Sequence, residues 1–250
     1  MNATSQGAKG SGGRVALAVA LMALAGVGGW YAQRTIGGPA ASDKAQIERI
    51  VHAYLLEHPE VLPEAMENLQ RNQNRSQLAQ VKGPVETPFP GAVLGNPRGT
   101  VTLVEFTDFA CGFCRRSVPD VAALAKSNPD LRIVIRELPI ISPHSGAAAK
   151  MALAAAEQGK YAQFHEAMFA AGQLDPQTIE ATARSIGLDM DRAHKVAASA
   201  PVAEELQRNV ALAQRLGFSG TPSWVAGDQL VSGAVGVDRL AEAVAQARKS

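Results

Sequence analysis

The sequence predicts an α/β fold in which a strand-helix-strand unit is followed by a long helical run, then by a hairpin and a closing helix. Three observations carry it. Residues 101–106 and 131–136 are β-branched and apolar, and a helical segment from Cys111 to about Lys126 lies between them. Residues 145–218 keep helical patterning, with breaks at Gly159, Gly172, Gly187 and Pro201. Residues 223–226 and 229–231 then flank Gly227-Asp228, the spacing of a tight hairpin, before an amphipathic stretch over 237–249.

The elements can be justified in order from the N-terminus. Lys9 and Arg14 precede an uncharged run over residues 15–32 that ends in Trp30 and Tyr31 before Ala32. As a helix this run is about 27 Å long at roughly 1.5 Å per residue, close to the hydrocarbon thickness of a bilayer. Positive charge before it favours export of the chain beyond it. Two readings stand for residues 1–34, a membrane anchor and a signal peptide cleaved near Ala23-Leu24-Ala25. Either places the remaining chain in the periplasm, free after cleavage or tethered by residues 15–32.

Residues 35–81 form a linker, with Gly37-Gly38-Pro39, and a helical segment. Ser42-Asp43 is a good helix start, and Ile47, Ile50, Val51, Tyr54 and Leu55 share one face. His58-Pro59 interrupts that helix. A second helix starts near Pro63 and carries Leu62, Met66 and Leu69 before a polar run over 70–80. An apolar stripe this narrow builds no core alone. Residues 43–80 therefore either pack on the main domain, associate with another copy to give a homo-oligomer, or form a solvated spacer; Glu57 and Glu64 break the heptads a long coiled coil needs. Residues 82–92, with Pro84, Pro88 and Pro90, read as a stiff connector. The main domain, residues 93–250, opens with a short strand at Val93-Leu94 and the turn Gly95-Asn96-Pro97-Arg98-Gly99. In the helix that starts at Cys111, Pro119 is expected to produce a kink.

Composition excludes several function classes. With 24 Lys+Arg against 23 Asp+Glu there is no basic excess for nucleic acid, and 46% hydrophobic residues argue against wholesale disorder. The only cysteines, Cys111 and Cys114, exclude both a disulfide-stapled scaffold and a four-thiolate zinc site. Cys111 follows a strand and begins a helix, where free N–H groups and the positive helix end stabilise an anionic sulfur. Cys114 lies almost one turn on, within reach to resolve a mixed disulfide formed on Cys111. A bridge closing so short a loop stabilises little, and a metal site would need further ligands; His52 and His58 are poorly spaced for that.

Two more features bear on redox chemistry. Glu105 alternates with Val101 and Leu103 on one strand face, so it is either at an exposed sheet end or buried. If buried, desolvation raises its pKa and it can relay a proton to or from Cys114. Thr221-Pro222 stands at the start of a strand, a place for a cis bond or an ordinary trans turn.

Together, Glu105, Cys111-Gly112-Phe113-Cys114 and Gly220-Thr221-Pro222, in this element order, resemble the DsbA-type thioredoxin-fold thiol–disulfide oxidoreductases over residues 92–250. The resemblance implies a thioredoxin fold with a large helical insertion at about 145–218. It implies catalytic Cys111 and Cys114, a buried acid at Glu105, and a cis-proline at Pro222 facing the cysteines. The Thr221 backbone would pair with a substrate chain. Residues 43–69, with Tyr54-Leu55-Leu56-Glu57-His58-Pro59-Glu60-Val61-Leu62, are similar to the N-terminal segment of the ScsC-like bacterial group. In that group the segment drives trimer formation in some members, while others are monomeric or handle copper stress. The expected function is disulfide exchange with protein thiols and disulfides, as oxidase or isomerase, served by a membrane or periplasmic redox partner and needing no cofactor, metal or nucleic acid. The alternative is copper binding by the same two thiolates. Gly112-Phe113 replaces the Pro-His of the best known oxidases, which leaves the direction of exchange open.

The remaining residues have blander expectations. Phe109, Phe113 and Trp224 either line an apolar surface for unfolded substrates, with Phe113 the candidate contact, or belong to ordinary core. His144 reads as a residue at the start of a helix, and His165 and His194 as surface or satisfied core groups. The alanine-rich run 147–156 reads as close helix packing.

Overall fold

The computed structural model describes residues 41–249. The expected anchor or signal at 1–34 lies outside the described residues. Among the described residues no helix is long and apolar enough to cross a membrane.

The chain divides into two units, Met1–Ala65 and Met66–Ser250. The first contains α1 (Ala41–Glu57), which stops at the His58-Pro59 break, and the start of α2 (Val61–Ala79). Ile47, Ile50, Val51, Tyr54 and Leu56 of α1 are each at least half exposed. Of the expected apolar face, Ile47, Ile50, Val51 and Tyr54 are exposed and Leu55 is half-buried. The polar run beyond Leu69 is not a loop: α2 continues through it to Ala79. It does so because Leu78 and Asn74 supply a buried stripe on the second unit while the polar positions face solvent.

The second unit is built on a five-stranded sheet in the order β1-β3-β2-β4-β5, with β1 (Val93–Gly95), β2 (Val101–Thr107), β3 (Leu131–Glu137), β4 (Ser223–Ala226) and β5 (Gln229–Ser232). β2 and β3 are parallel, joined by the crossover helix α4 (Gly112–Ser127); the other pairings are antiparallel. α4 is one helix from end to end, with Pro119 inside it. The central strands are buried on both faces, which explains their continuous apolar character. Leu103, Ile133, Ile135 and Trp224 face a core shared with α4, the inserted helices and α10 (Gly236–Ala247). Val104, Phe106, Val134 and Val225 face a second core, closed by Leu78, Val81, Val85, Leu212 and Phe218.

The insertion is five helices, α5 (Ser145–Glu157), α6 (Tyr161–Ala170), α7 (Pro176–Ser185), α8 (Met190–Ala197) and α9 (Ala200–Arg215). Gly159 and Gly187 take φ values of 68° and 70° just past α5 and α7, the left-handed conformation that ends a helix. Asp175 and Asp189 restart the chain by accepting the Thr178 and Arg192 N–H groups. Alanines fill the buried face of α5, which lets its neighbours pack closely.

Residues 82–92 are more than a stiff connector. They contain α3 (Lys82–Glu86) and bury Val85, Phe89 and Ala92. The cause is Arg136, which β3 presents to this side of the sheet. Its guanidinium donates to the Val85 carbonyl at 3.0 and 3.1 Å and to those of Pro84 and Thr87, and pairs with Glu205 Oε1 at 2.5 Å. Asn209 Oδ1 accepts another of its hydrogens at 3.1 Å. A fully buried cation is tolerable only with such a set of acceptors. Replacing Glu205 by Ala strands that charge and is expected to cost about 3–5 kcal/mol in denaturant unfolding. A loss below about 0.5 kcal/mol, typical of a surface site, would mean that the pair holds nothing.

Candidate active site

The candidate site grows from the end of β2. Thr107 is followed by Asp108, whose buried carboxylate accepts the Ala110 N–H at 2.8 Å through Oδ1. Its Oδ2 accepts the Ile140 and Ile141 N–H groups at 2.8 and 2.9 Å, and its carbonyl accepts the Cys111 N–H at 2.9 Å. Asp108 therefore ties the turn into α4 to the segment after β3. Sequence reasoning misses it, since a single aspartate after a strand carries no distinguishing signal.

Cys111 is the N-cap of α4, with φ −79° and ψ 113°. Its Sγ accepts the Cys114 N–H at 3.2 Å, so the sulfur itself caps the helix. The same Sγ–H donates to the Thr221 carbonyl at 3.2 Å. Thr221-Pro222 is cis. The chain thus brings residues more than a hundred positions apart into one contact. Both sulfurs are unbridged and buried.

The two thiols are driven apart electrostatically. A hydrogen bond from the Cys114 thiol, with smaller help from the Thr221 side chain and the Cys114 and Phe113 N–H groups, outweighs burial and lowers the Cys111 pKa to about 5. Donating to Cys111 and being buried pushes the Cys114 thiol well above its ordinary value. Beneath them lies Glu105, opposite Trp224 on β4 and Ile135 on β3. It is buried, and its Oε2 has no hydrogen-bond partner. Desolvation raises its pKa from 4.5 to about 8, with the Cys111 charge adding to the rise and the Thr107 hydroxyl offsetting part of it.

The aromatic residues separate cleanly. Phe113 is 56% exposed, with the Arg116 guanidinium 4.3 Å from its ring centroid. Phe109 and Trp224 are core. Phe109 packs on Phe164 and Phe169, and Trp224 donates to the Gly233 carbonyl at 2.9 Å, so neither lines a surface. Among the histidines, His194 pairs with Glu180 on the surface, whereas His165 is buried with Nε2 unpartnered and its pKa lowered to about 4 by desolvation. Among the described residues no three His, Cys, Asp or Glu side chains are grouped to hold a metal ion.

Burial of Glu105 makes stability depend on pH. Its carboxyl is accommodated when neutral, so the contribution is intact below about pH 4.5 and is lost as pH rises through about 8. Glu105→Gln, which cannot ionise, is expected to raise the melting temperature above that of the parent at pH 8.5 and to leave it nearly unchanged at pH 4. The stabilisation at high pH is on the order of a few kcal/mol. A difference that stays constant across pH would contradict the assigned burial of charge.

Comparison with known proteins agrees with this architecture. Residues 102–245 match the DSBA-like thioredoxin domain, and residues 43–75 match the copper resistance protein ScsC N-terminal domain. A thioredoxin-like oxidoreductase from Silicibacter pomeroyi is 43% identical, with a TM-score of 0.61 over 63% of this chain and 92% of its own. The thiol-disulfide exchange protein alpha-DsbA2 from Wolbachia pipientis is 27% identical, with a TM-score of 0.65 over 71% of this chain and 97% of its own. ScsC of Proteus mirabilis in a transitional conformation is 26% identical, with a TM-score of 0.63 over 84% of this chain and 99% of its own. The chain spans about a quarter of the length of the curated relatives it matches; one is a Na(+)/H(+) antiporter NhaA of Salinispora arenicola, 31% identical over 67% of this chain and 24% of that protein. The family's members are generally thiol–disulfide oxidoreductases, and this chain, matched over more than half its length, belongs to the DSBA-like thioredoxin domain family.

Proposed function

We propose that this protein exchanges disulfides with protein substrates through Cys111 and Cys114. The observation that carries the reading is Cys111 Sγ at the start of α4, where it accepts the Cys114 N–H, facing the Thr221 carbonyl beside Pro222. A sulfur so placed is populated as thiolate near neutral pH and is the nucleophile. It attacks a substrate disulfide, forming a bond from Cys111 to one substrate sulfur while the other leaves as thiolate. Cys114 then yields its proton to Glu105 and attacks Cys111, closing the Cys111–Cys114 bridge and releasing the second substrate sulfur. In the opposite direction a substrate thiolate attacks Cys111 in the bridge, and Cys114 leaves with the proton that Glu105 held. Thr221 and Pro222 form the substrate-facing edge. The exposed Phe113 ring supplies an apolar contact beside it.

The exposed apolar face of α1, with the ScsC-type match over residues 43–75, supports self-association through residues 43–80. Several thiol pairs around one substrate suit reshuffling of wrong disulfides, so isomerase activity is the reading we adopt. The freed substrate thiolate attacks a second substrate disulfide, and a substrate thiolate then displaces Cys111 from the mixed disulfide, leaving the count of disulfides unchanged. The uncharged run at 15–32 supports action outside the cytoplasm, with a membrane or periplasmic redox partner restoring the pair. The copper-resistance name of the matched N-terminal domain favours one second reading, in which the two sulfurs hold copper(I). Stoichiometric copper(I) binding by the reduced protein without turnover would favour it.

Two measurements test the primary reading. Cys111→Ala is expected to abolish refolding of scrambled ribonuclease, and Cys114→Ala to accumulate mixed disulfides visible on non-reducing gels; full activity in Cys111→Ala would reject the assignment. Light scattering should give a multimer for residues 43–250, and Ile50→Glu with Tyr54→Glu should reduce it to a monomer with refolding activity impaired. A monomeric parent would reject self-association.

A further inference from the structure

The face of the sheet beneath the cysteines holds a second acid that the disulfide exchange proposed for them does not use. In the β2/β3 register Thr107 lies opposite Glu137, and Glu105 lies two residues back on the same face. All three are buried. Glu105 Oε2 and Glu137 Oε2 each lack a hydrogen-bond partner. Glu137 Oε1 is held by the Tyr161 hydroxyl at 2.6 Å, from the first residue of α6, and its carbonyl accepts the Asn209 amide at 3.1 Å. The side chain is therefore fixed in place, with one oxygen committed and one left over.

The surroundings offer no countercharge. The titratable groups facing the two acids are Asp108 after β2, Cys111 and Cys114 at the start of α4, and Tyr161 and His165 on α6. Arg136, adjacent to Glu137 in sequence, is spent on Glu205 at the opposite face. Burial, and repulsion by Asp108 and Glu105, raise the Glu137 pKa, while Tyr161 offsets part of the rise. Two carboxyls buried on one sheet face without countercharge resist ionising together near neutral pH.

We propose that Glu137, anchored by Tyr161, and Glu105 form one electrostatically coupled carboxyl pair beneath the cysteines, with Glu137 a positioning residue for proton transfer at Cys114. A charge on Glu137 makes Glu105 hold its proton; a neutral Glu137 lets Glu105 release it. The chemical role rests on the proposed disulfide exchange, but the coupling does not.

Infrared spectra of the reduced full-length protein, from about pH 4 to about pH 10, read the protonated carboxyl bands directly, and Glu105→Gln identifies the Glu105 band. Glu137→Gln is expected to lower the proton affinity of Glu105 about tenfold, and to shift the pH profile for resolving a Cys111 mixed disulfide of a small thiol in parallel. Tyr161→Phe, which keeps the carboxyl but removes its partner, should shift the Glu105 band in the same direction and decides the matter if Glu137→Gln does not fold. An unmoved Glu105 band in a folded variant overturns the pair. The band position is independent of turnover, so failure of Cys111→Ala to lose activity would reject the exchange reading and leave the coupling standing.

Discussion

Cys111 caps α4 with its own sulfur, and the surrounding elements are placed by what that contact needs. The helix start supplies N–H groups for the thiolate, β2 delivers the residue to the end of the central strand, and Asp108 ties the intervening turn to the segment after β3. Thr221 closes the far side from a strand reached only after the whole helical insertion. Since Cys114 is in the first turn of the same helix, it can donate to Cys111 and thereby trade its own acidity for that of its neighbour. The asymmetry between two chemically identical thiols is thus geometric in origin.

Polar groups in this fold are divided between the two faces of the sheet. On one face Arg136 is satisfied by a carboxylate, an amide oxygen and a set of carbonyls, and it fastens residues 82–87. On the other, Glu105 and Glu137 each keep an oxygen without a partner under the cysteines. The first arrangement has a structural rationale. The second is costly for stability, and under the proposed exchange it places two acids where Cys114 has to lose or regain a proton.

Much of this is readable in the chain. The apolar runs of β2 and β3, the glycine breaks of the insertion, the hairpin across Gly227-Asp228 and the placement of Cys111 at a helix start come from local patterning. Glu105 is readable because an acid on a β-branched strand face demands an explanation. Other features are not readable, and each depends on a partner distant in sequence. The polar run after Leu69 is helical because Leu78 and Asn74 find a surface to bury against. The 82–92 segment is fastened by an arginine some fifty residues away. Phe109 and Trp224 are buried while Phe113 is not, a choice that local composition leaves open. Tyr161 and Glu137 meet only through the packing of α6 on the sheet edge.

The central claim is that Cys111 is held as a thiolate by the helix start and its neighbours. Thiolate absorbance of the reduced protein, measured across pH with Cys114→Ala as control, reads it directly. A single transition centred near pH 5 in the parent, displaced upward in Cys114→Ala, is the predicted result. A midpoint near the ordinary 9.0 in the parent would contradict the account.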